Sequence, residues 1–329
     1  MEQEIEQGVY YLKKCIIVLQ SAEPLAALLP LCERLVQEGI GCRVMLSEEL
    51  QDGEPTTDPS EKSSLGILYL TDDPWVYVTL AADFPGSQPP VLIYLHPGNQ
   101  DVDFSDALYA LEDPQEVEPE YLERVYRRCH NLPWEILVTE RCWLRETEEE
   151  DVDSFWRMYQ EPEITHYTEQ LYPSPEAERG YIREYRRLVY SFYEFGVWTV
   201  LDRQSGAVVG RAGLSVREGY DLPELGFVIG REWQGRGMAM EVCRGILKYA
   251  RQQLGFDRIQ VLVHEENAVS LHLCRKLGFR EQAPPAQAER ENMPHEPGIS
   301  PYSLVEMEQN GQQVRFVYMV CDQDLQGKS

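Results

Sequence analysis

The sequence predicts an α/β protein of two domains, and three observations lead there. The chain has 329 residues, about twice the ~150 of a typical domain. Strand-like and helix-like segments alternate from the first apolar run onward. Charge changes near residue 133: residues 1–133 hold 24 acids and 8 bases, whereas the remainder holds 32 and 22. The boundary falls in Cys129-His-Asn-Leu-Pro-Trp134, where the proline stops a helix-like stretch over Glu118–Arg128. The expected domains are therefore 1–133 and 134–329.

In the first domain Lys14–Leu19 is a short buried-strand run. Leu25–Gln37 has apolar residues at helical spacing and ends at Gly39, a good cap residue. Gly41–Leu46 reads as a second strand and Gln51–Ser64, with Pro55 and Pro59, as a polar loop. Strands recur at Leu65–Leu70 and Val91–Leu95, with a shorter one near Ala107–Leu111. That order predicts a small, open, Rossmann-like α/β sheet.

The second domain opens with a strand over Ile136–Leu144. Thr147 and Glu150 have capping-box spacing, so the acidic run Arg145–Asp153 reads as a helix start that continues through Phe155, Trp156 and Tyr159. A tyrosine-rich helical stretch follows over Pro175–Phe195. Trp198–Leu201 and Ala207–Val216 read as a hairpin turning at Gln204-Ser-Gly206. Glu281–Pro301, rich in Pro, Ala and Glu, reads as a mobile insertion before a last strand, Val314–Val320.

Composition excludes several classes. A net charge of −26 argues against nucleic acid, whose phosphates are held by clustered Lys and Arg. No apolar run approaches the ~20 residues of a membrane helix, and the start, Met1-Glu-Gln-Glu-Ile-Glu, is acidic where a secretory leader is basic and apolar. Eight scattered cysteines without a C-x-x-C read as reduced, mostly buried thiols. Neither H-E-x-x-H nor paired Cys/His spacing occurs, so no metal site is expected. A cytoplasmic location follows.

Chemistry concentrates in Glu224-Leu-Gly-Phe-Val-Ile-Gly-Arg-Glu-Trp-Gln-Gly-Arg-Gly-Met-Ala239. A strand, Leu225–Ile229, runs into a glycine loop and a helix leaves it, with Ala239, Val242, Ile246, Ala250 and Leu254 on its buried face. Gly235 and Gly237 let the backbone approach a ligand closely, and the helix N-terminus offers free N–H groups to a pyrophosphate. Arg258–Val263 completes a β-α-β unit. Residues 231–280 carry nine bases and five acids, a basic island in an acidic chain. A dinucleotide fold is the rival on the same physics, but Met240 stands at its third glycine position and the acid comes later than ~20 residues.

Gln234-Gly-Arg-Gly-Met-Ala239 resembles the acetyl-CoA motif of the GNAT superfamily of N-acetyltransferases, and Asn267-x-x-Ser270 with Leu277-Gly-Phe279 resembles its second segment. The spelling Glu-Leu-Gly-Phe-x-Ile-Gly is similar to the branch that includes ribosomal-protein N-terminal acetyltransferases. The similarity covers roughly residues 136–280 and extends more weakly to about residue 325. It implies a GNAT fold with a mixed central sheet, acetyl-CoA as co-substrate, and a cytoplasmic N-acetyltransferase acting on a primary amine by direct attack on the thioester. It further implies that backbone N–H groups of Gly235, Arg236, Gly237, Met238 and Ala239, with Gln234 beside them, cradle the pyrophosphate. Asn267 and Ser270 would hold the pantetheine arm, and N–H groups of Phe227, Val228 and Ile229 the thioester carbonyl.

Glu224 is the candidate general base, with a structural ion-pair role as its alternative. Cys274 stands where many relatives have a tyrosine that protonates the leaving thiolate, and Ser270 is the other candidate acid. The resemblance also implies that the elements before the cofactor strand shape the acceptor pocket, which points to Tyr159–Trp198; its tyrosines and the nearby Glu161, Glu163 and Glu169 suit a cationic small-molecule or peptide amine. His166 is an ambiguous loop residue. Oligomeric state is not legible. The first domain weakly resembles the later half of a haloacid-dehalogenase-like domain, but no Asp-x-Asp pair follows its first strand. Asp72 and Asp73 keep open a bifunctional protein with a divergent phosphatase-like domain, and Cys274 keeps open a non-catalytic acyl-CoA-binding regulator.

Overall fold

A computed structural model describes residues 11–51, 66–85, 87–284, 304–309 and 312–322. All but Gln51 of the expected loop Gln51–Ser64 and nearly all of the expected insertion Glu281–Pro301 lie outside them, and Gln51 ends a helix. The chain divides into two compact units, Met1–Trp134 and Glu135–Ser329.

The first unit is β1 (Lys14–Leu19), α1 (Leu25–Gln37), β2 (Gly41–Leu46), α2 (Ser47–Gln51), β3 (Ile67–Thr71), α3 (Pro74–Ala81), β4 (Val91–Tyr94), β5 (Ala110–Leu111) and α4 (Pro119–Cys129). The strands pair in parallel in the order β2-β1-β3-β4-β5. Helices cover both faces, so β1 and β4 read as unbroken apolar runs. Leu28, Leu31 and Leu35 of α1 pack with Leu122, Val125 and Tyr126 of α4 on one face. Val76 of α3 joins Ile16, Val18 and Met45 on the other.

Helix α3 escaped the sequence reading because its apolar residues surround it rather than forming a stripe. Its start is nonetheless written locally: Asp73 caps the Trp75 N–H at 2.8 Å and Pro74 takes the first helical position. Asp72 is likewise engaged by its own domain. It accepts from the Gln20 N–H at 2.8 Å and pairs with His96 Nε2 at 3.1 Å, joining the carboxyl ends of β1, β3 and β4. Both carboxylates therefore hold the sheet's carboxyl edge.

The second unit opens with β6 (Glu135–Val138) and β7 (Cys142–Arg145). The single strand expected over Ile136–Leu144 is in fact this hairpin, because the polar Thr139-Glu-Arg141 turns the chain and the Thr139 N–H reaches Cys142 O at 2.7 Å. The capping box is Glu148 with Asp151, one residue later than expected. Asp151 is fixed there by Arg145 at 2.7 Å and by the Thr199 hydroxyl at 2.7 Å. Then follow α5 (Val152–Met158), α6 (Pro162–Thr165) and α7 (Pro175–Tyr185). The helical stretch expected through Phe195 widens into a π turn at Arg186–Tyr190 and ends in α8 (Ser191–Tyr193), with Glu194 at φ +60°.

The remaining elements are β8 (Val197–Asp202), β9 (Val208–Ser215), β10 (Glu224–Ile229), α9 (Met238–Gln252), β11 (Arg258–His264), α10 (Ala268–Lys276), β12 (Arg280–Glu281), β13 (Leu304–Gln309) and β14 (Gln312–Asp322). They make a mixed sheet in the order β6-β7-β8-β9-β10-β11-β14-β12, with β13 also on β14. Among the described strands of this sheet only β10 and β11 pair in parallel. Helix α9 buries Met238, Val242, Cys243, Ile246, Leu247 and Ala250 in the core.

Candidate functional site

The parallel pair β10–β11 holds at one register point, Glu224 opposite Gln260. On its other edge β10 is paired with β9 from Glu224 to Ile229. Beyond Glu224 the two parallel strands thus separate and leave a wedge in the sheet. The Gln260 N–H bonds Pro223 O, so alternation turns the peptide groups of Leu225, Phe227 and Ile229 toward the wedge. Val228 lies opposite Arg211 and turns its N–H to β9. Of the three N–H groups expected to face a ligand, Val228 is therefore corrected: a strand exposes only alternate ones to each edge.

Past Ile229 a short 3-10 turn, Arg231–Trp233, leads into the glycine loop. The Gln234 side-chain amide donates to Ile229 O at 2.8 Å, so Gln234 ties the loop to the strand end. Gly235 and Gly237 have φ of +73° and +78°, left-handed values that other residues adopt at a cost of ~1 kcal/mol or more. A Cβ on Gly235 would meet nothing within 4 Å, so the loop borders open space. Helix α9 starts at Met238 without a side-chain cap, which leaves its first N–H groups and positive dipole end for a ligand.

Two residues absent from the sequence reading brace this loop. Arg141, in the β6–β7 turn, donates to Arg236 O at 2.8 Å and pairs with Glu241 at 2.6 Å. Burial pushes the Glu241 carboxyl up, but hydrogen bonds from Thr139 and Arg141 outweigh it and hold the net value below the ordinary one. Arg236 places its guanidinium over the Trp233 ring at 5.4 Å.

Across the wedge Asn267 caps α10 by accepting from the Ser270 N–H at 3.0 Å, and both residues line the cavity. Cys274 does not. It is wholly buried in the core, and desolvation pushes its thiol up to about 12. A leucine-spaced position on the inner face of a short helix carries this thiol into packing, so the candidate proton donor is corrected to a core residue.

The cavity, about 430 Å³, is walled by β10 and β11, by the Tyr159–Tyr181 region and by β13. Glu224 is bound through both oxygens by Arg217, whose Nη2 lies 3.0 Å from Oε1 while Nε contacts Oε2. Glu178, 1% exposed, accepts from the Tyr172 N–H at 2.9 Å and lies 3.8 Å from Arg211. With Glu169 and Glu308 the wall holds four carboxylates against two guanidiniums. His264 also lines it. Burial lowers its pKa and His166 adds to this, against an opposing pull from Glu266 and Glu265. Its Nδ1 accepts from the Glu266 N–H at 3.2 Å, assigning the proton to Nε2. His166 stacks loosely on it, ring centres 5.9 Å apart. Glu161 and Glu163 lie apart from the cavity wall and pair with Arg231.

The acetyltransferase (GNAT) domain model matches residues 141–280. Residues 141–280 are a GNAT acetyltransferase domain. N-acetyltransferase p20 of Bacillus licheniformis, itself uncharacterized, is 26% identical over 152 residues, 45% of this chain and 84% of that protein. The ribosomal protein uS5-alanine N-acetyltransferase of Escherichia coli K12 is 31% identical over 114 residues, 34% of this chain and 57% of that protein. A GNAT-family acetyltransferase structure from Bacillus anthracis overlaps 58% of this chain and 99% of its own with a TM-score of 0.45 and 16% identity.

GNAT enzymes use acetyl-CoA, and the residues present fit it. The open space at Gly235, the left-handed turn at Gly237 beside Arg141 and the uncapped start of α9 suit a pyrophosphate. The wedge between β10 and β11 suits an extended arm carrying a thioester. Arg141, Arg217, Arg211 and Glu241 were not legible as neighbours of the loop and cavity, since none belongs to a glycine or asparagine motif.

Proposed function

We propose that this chain transfers the acetyl group of acetyl-CoA to a cationic primary amine. The wedge carries this reading, because Glu224 and Phe227 line the cavity on the same strand that runs on through Ile229 into the glycine loop. Bound acetyl-CoA supplies an activated acyl carbon. N–H groups from Gly235 through Ala239 hold its phosphates, and Asn267 and Ser270 line the path of its arm. The Phe227 N–H stabilises negative charge at the thioester oxygen. Glu224 takes a proton from the incoming ammonium, and Ser270, which lines the cavity, is the candidate donor to the departing sulfur. Two net negative charges and the tyrosine walls favour a cation as acceptor. The uS5-directed relative supports a peptide N-terminus as one form of that amine.

Calorimetric titration with acetyl-CoA, with NAD as control, tests the reading. Micromolar acetyl-CoA binding that Gly237→Glu abolishes is expected, followed by thiol release with an amine panel. Folded protein that binds no acetyl-CoA overturns it. A second reading, an acyl-CoA sensor, is favoured by the bidentate Arg217 lock on Glu224, and binding without thiol release would select it.

A further inference from the structure

Strands β9 and β10 hold three glycines, and packing dictates two of them. A Cβ on Gly210 would collide with Val228 O, and one on Gly213 with Gly196 O. Gly226 is different. It lies mid-strand in β10, paired with Gly213, yet a Cβ there would meet nothing within 4 Å. Among the described glycines it alone has neither a left-handed φ nor an atom within 4 Å of the missing Cβ. A glycine inside a strand costs chain entropy and packing, and its usual cause is a bulge or the close approach of a backbone or ligand. The pairing of β10 with β9 runs without a register shift from Glu224 to Ile229, and no backbone comes near. Gly226 borders the cavity instead.

Alternation puts this gap between Glu224 and Val228 on one face of the sheet. Arg211 lies opposite Val228 on β9, so its side chain shares that face, where Glu178 lies 3.8 Å away. Both line the cavity, as do Tyr159 and Tyr181.

We propose that Gly226 is a specificity-determining residue of the acceptor side, its missing side chain leaving the slot for the carbon that bears the amine.

On the acetyltransferase reading, on which this rests, the ammonium gives its proton to Glu224, so the acceptor occupies the Glu224 face. The Phe227 N–H that faces the thioester oxygen follows Gly226 directly in the strand. An acceptor within reach of both groups passes over Gly226. A methyl group there narrows the slot and an isopropyl group closes it, while the glycine loop for the phosphates begins beyond Ile229 and is left intact.

The test compares the full chain with Gly226→Ala and Gly226→Val by thermal unfolding, acetyl-CoA calorimetry and steady-state thiol release. The acceptors are spermidine, a glycyl peptide and an alanyl peptide, graded by bulk at the carbon that bears the nitrogen. For Gly226→Ala the melting temperature should equal or exceed that of the wild type, because alanine has less chain entropy to lose and nothing to strike. Its acetyl-CoA Kd should stay within about 2-fold, while the acceptor KM rises about 10-fold or more, most for the alanyl peptide. Gly226→Val should bind acetyl-CoA and release no thiol. An acceptor KM within about 2-fold of the wild type, an acetyl-CoA Kd raised about 10-fold, or a lowered melting temperature in Gly226→Ala overturns the proposal and leaves the acetyltransferase reading standing. A folded wild type that releases no thiol overturns both. The alanine variant decides even if the valine variant folds poorly.

Discussion

Glu224 enters the cleft already held by a guanidinium, so its chemistry belongs to the pair it forms with Arg217. Glu224→Gln should lower kcat/KM by about 10²-fold or more and leave acetyl-CoA affinity unchanged, as loss of a general base does. Arg217→Gln should lower kcat/KM by about 10-fold or more while acetyl-CoA affinity stays unchanged, because Glu224 loses the guanidinium that holds both its oxygens. An unchanged kcat/KM would show that the pair is structural. Cys274→Ala should leave turnover within about 2-fold at temperatures where it stays folded, since the thiol packs in the core. His264 gives a pH dependence whose sign is fixed. Its folded pKa lies below the ordinary 6.5, so its stabilising contribution is complete above that value and is lost as pH falls toward the folded one. Denaturant unfolding across that window should fall less steeply for His264→Gln than for the wild type.

At the scale of elements, β9 and the glycine loop carry the constraints. A Cβ on Gly213 would collide with Gly196 O, and one on Gly210 with Val228 O. Gly213→Ala should therefore cost about 1–3 kcal/mol in the unfolding free energy of the second unit, by forcing β8 from β9. The loop depends on Arg141, which reaches it from a turn 95 residues earlier. Arg141→Ala should raise the acetyl-CoA Kd by roughly 10-fold while the far-UV spectrum stays unchanged, because the cradle loses its brace and Glu241 its partner.

For the whole molecule, two compact units with separate cores predict departure from a single two-state transition. Differential scanning calorimetry should resolve two unfolding steps. Acetyl-CoA at about 100 times its Kd should add roughly 2.7 kcal/mol to one of them and none to the other. A shift of both steps together would show that the units unfold as one. No helix among the described residues is long and apolar enough to cross a membrane.

The local rules of the chain were legible in the sequence. Strand β1, helix α1 and strand β2 begin and end where the apolar runs and Gly39 place them, because burial on both sheet faces and helical periodicity are written in neighbouring residues. The glycine loop lies between a strand and a helix, where Gly235 and Gly237 take the left-handed angles that only glycine adopts cheaply. The rest needed three dimensions. Which N–H of β10 faces the wedge follows from its pairing with β9 and β11, and pairing register is a relation between strands. That Cys274 is core, that Arg217 closes on Glu224, and that Arg141 braces a loop 95 residues away were decided by tertiary structure alone. Hydrophobic period and backbone angle are properties of a segment, whereas burial and ion pairing depend on what the fold brings alongside it.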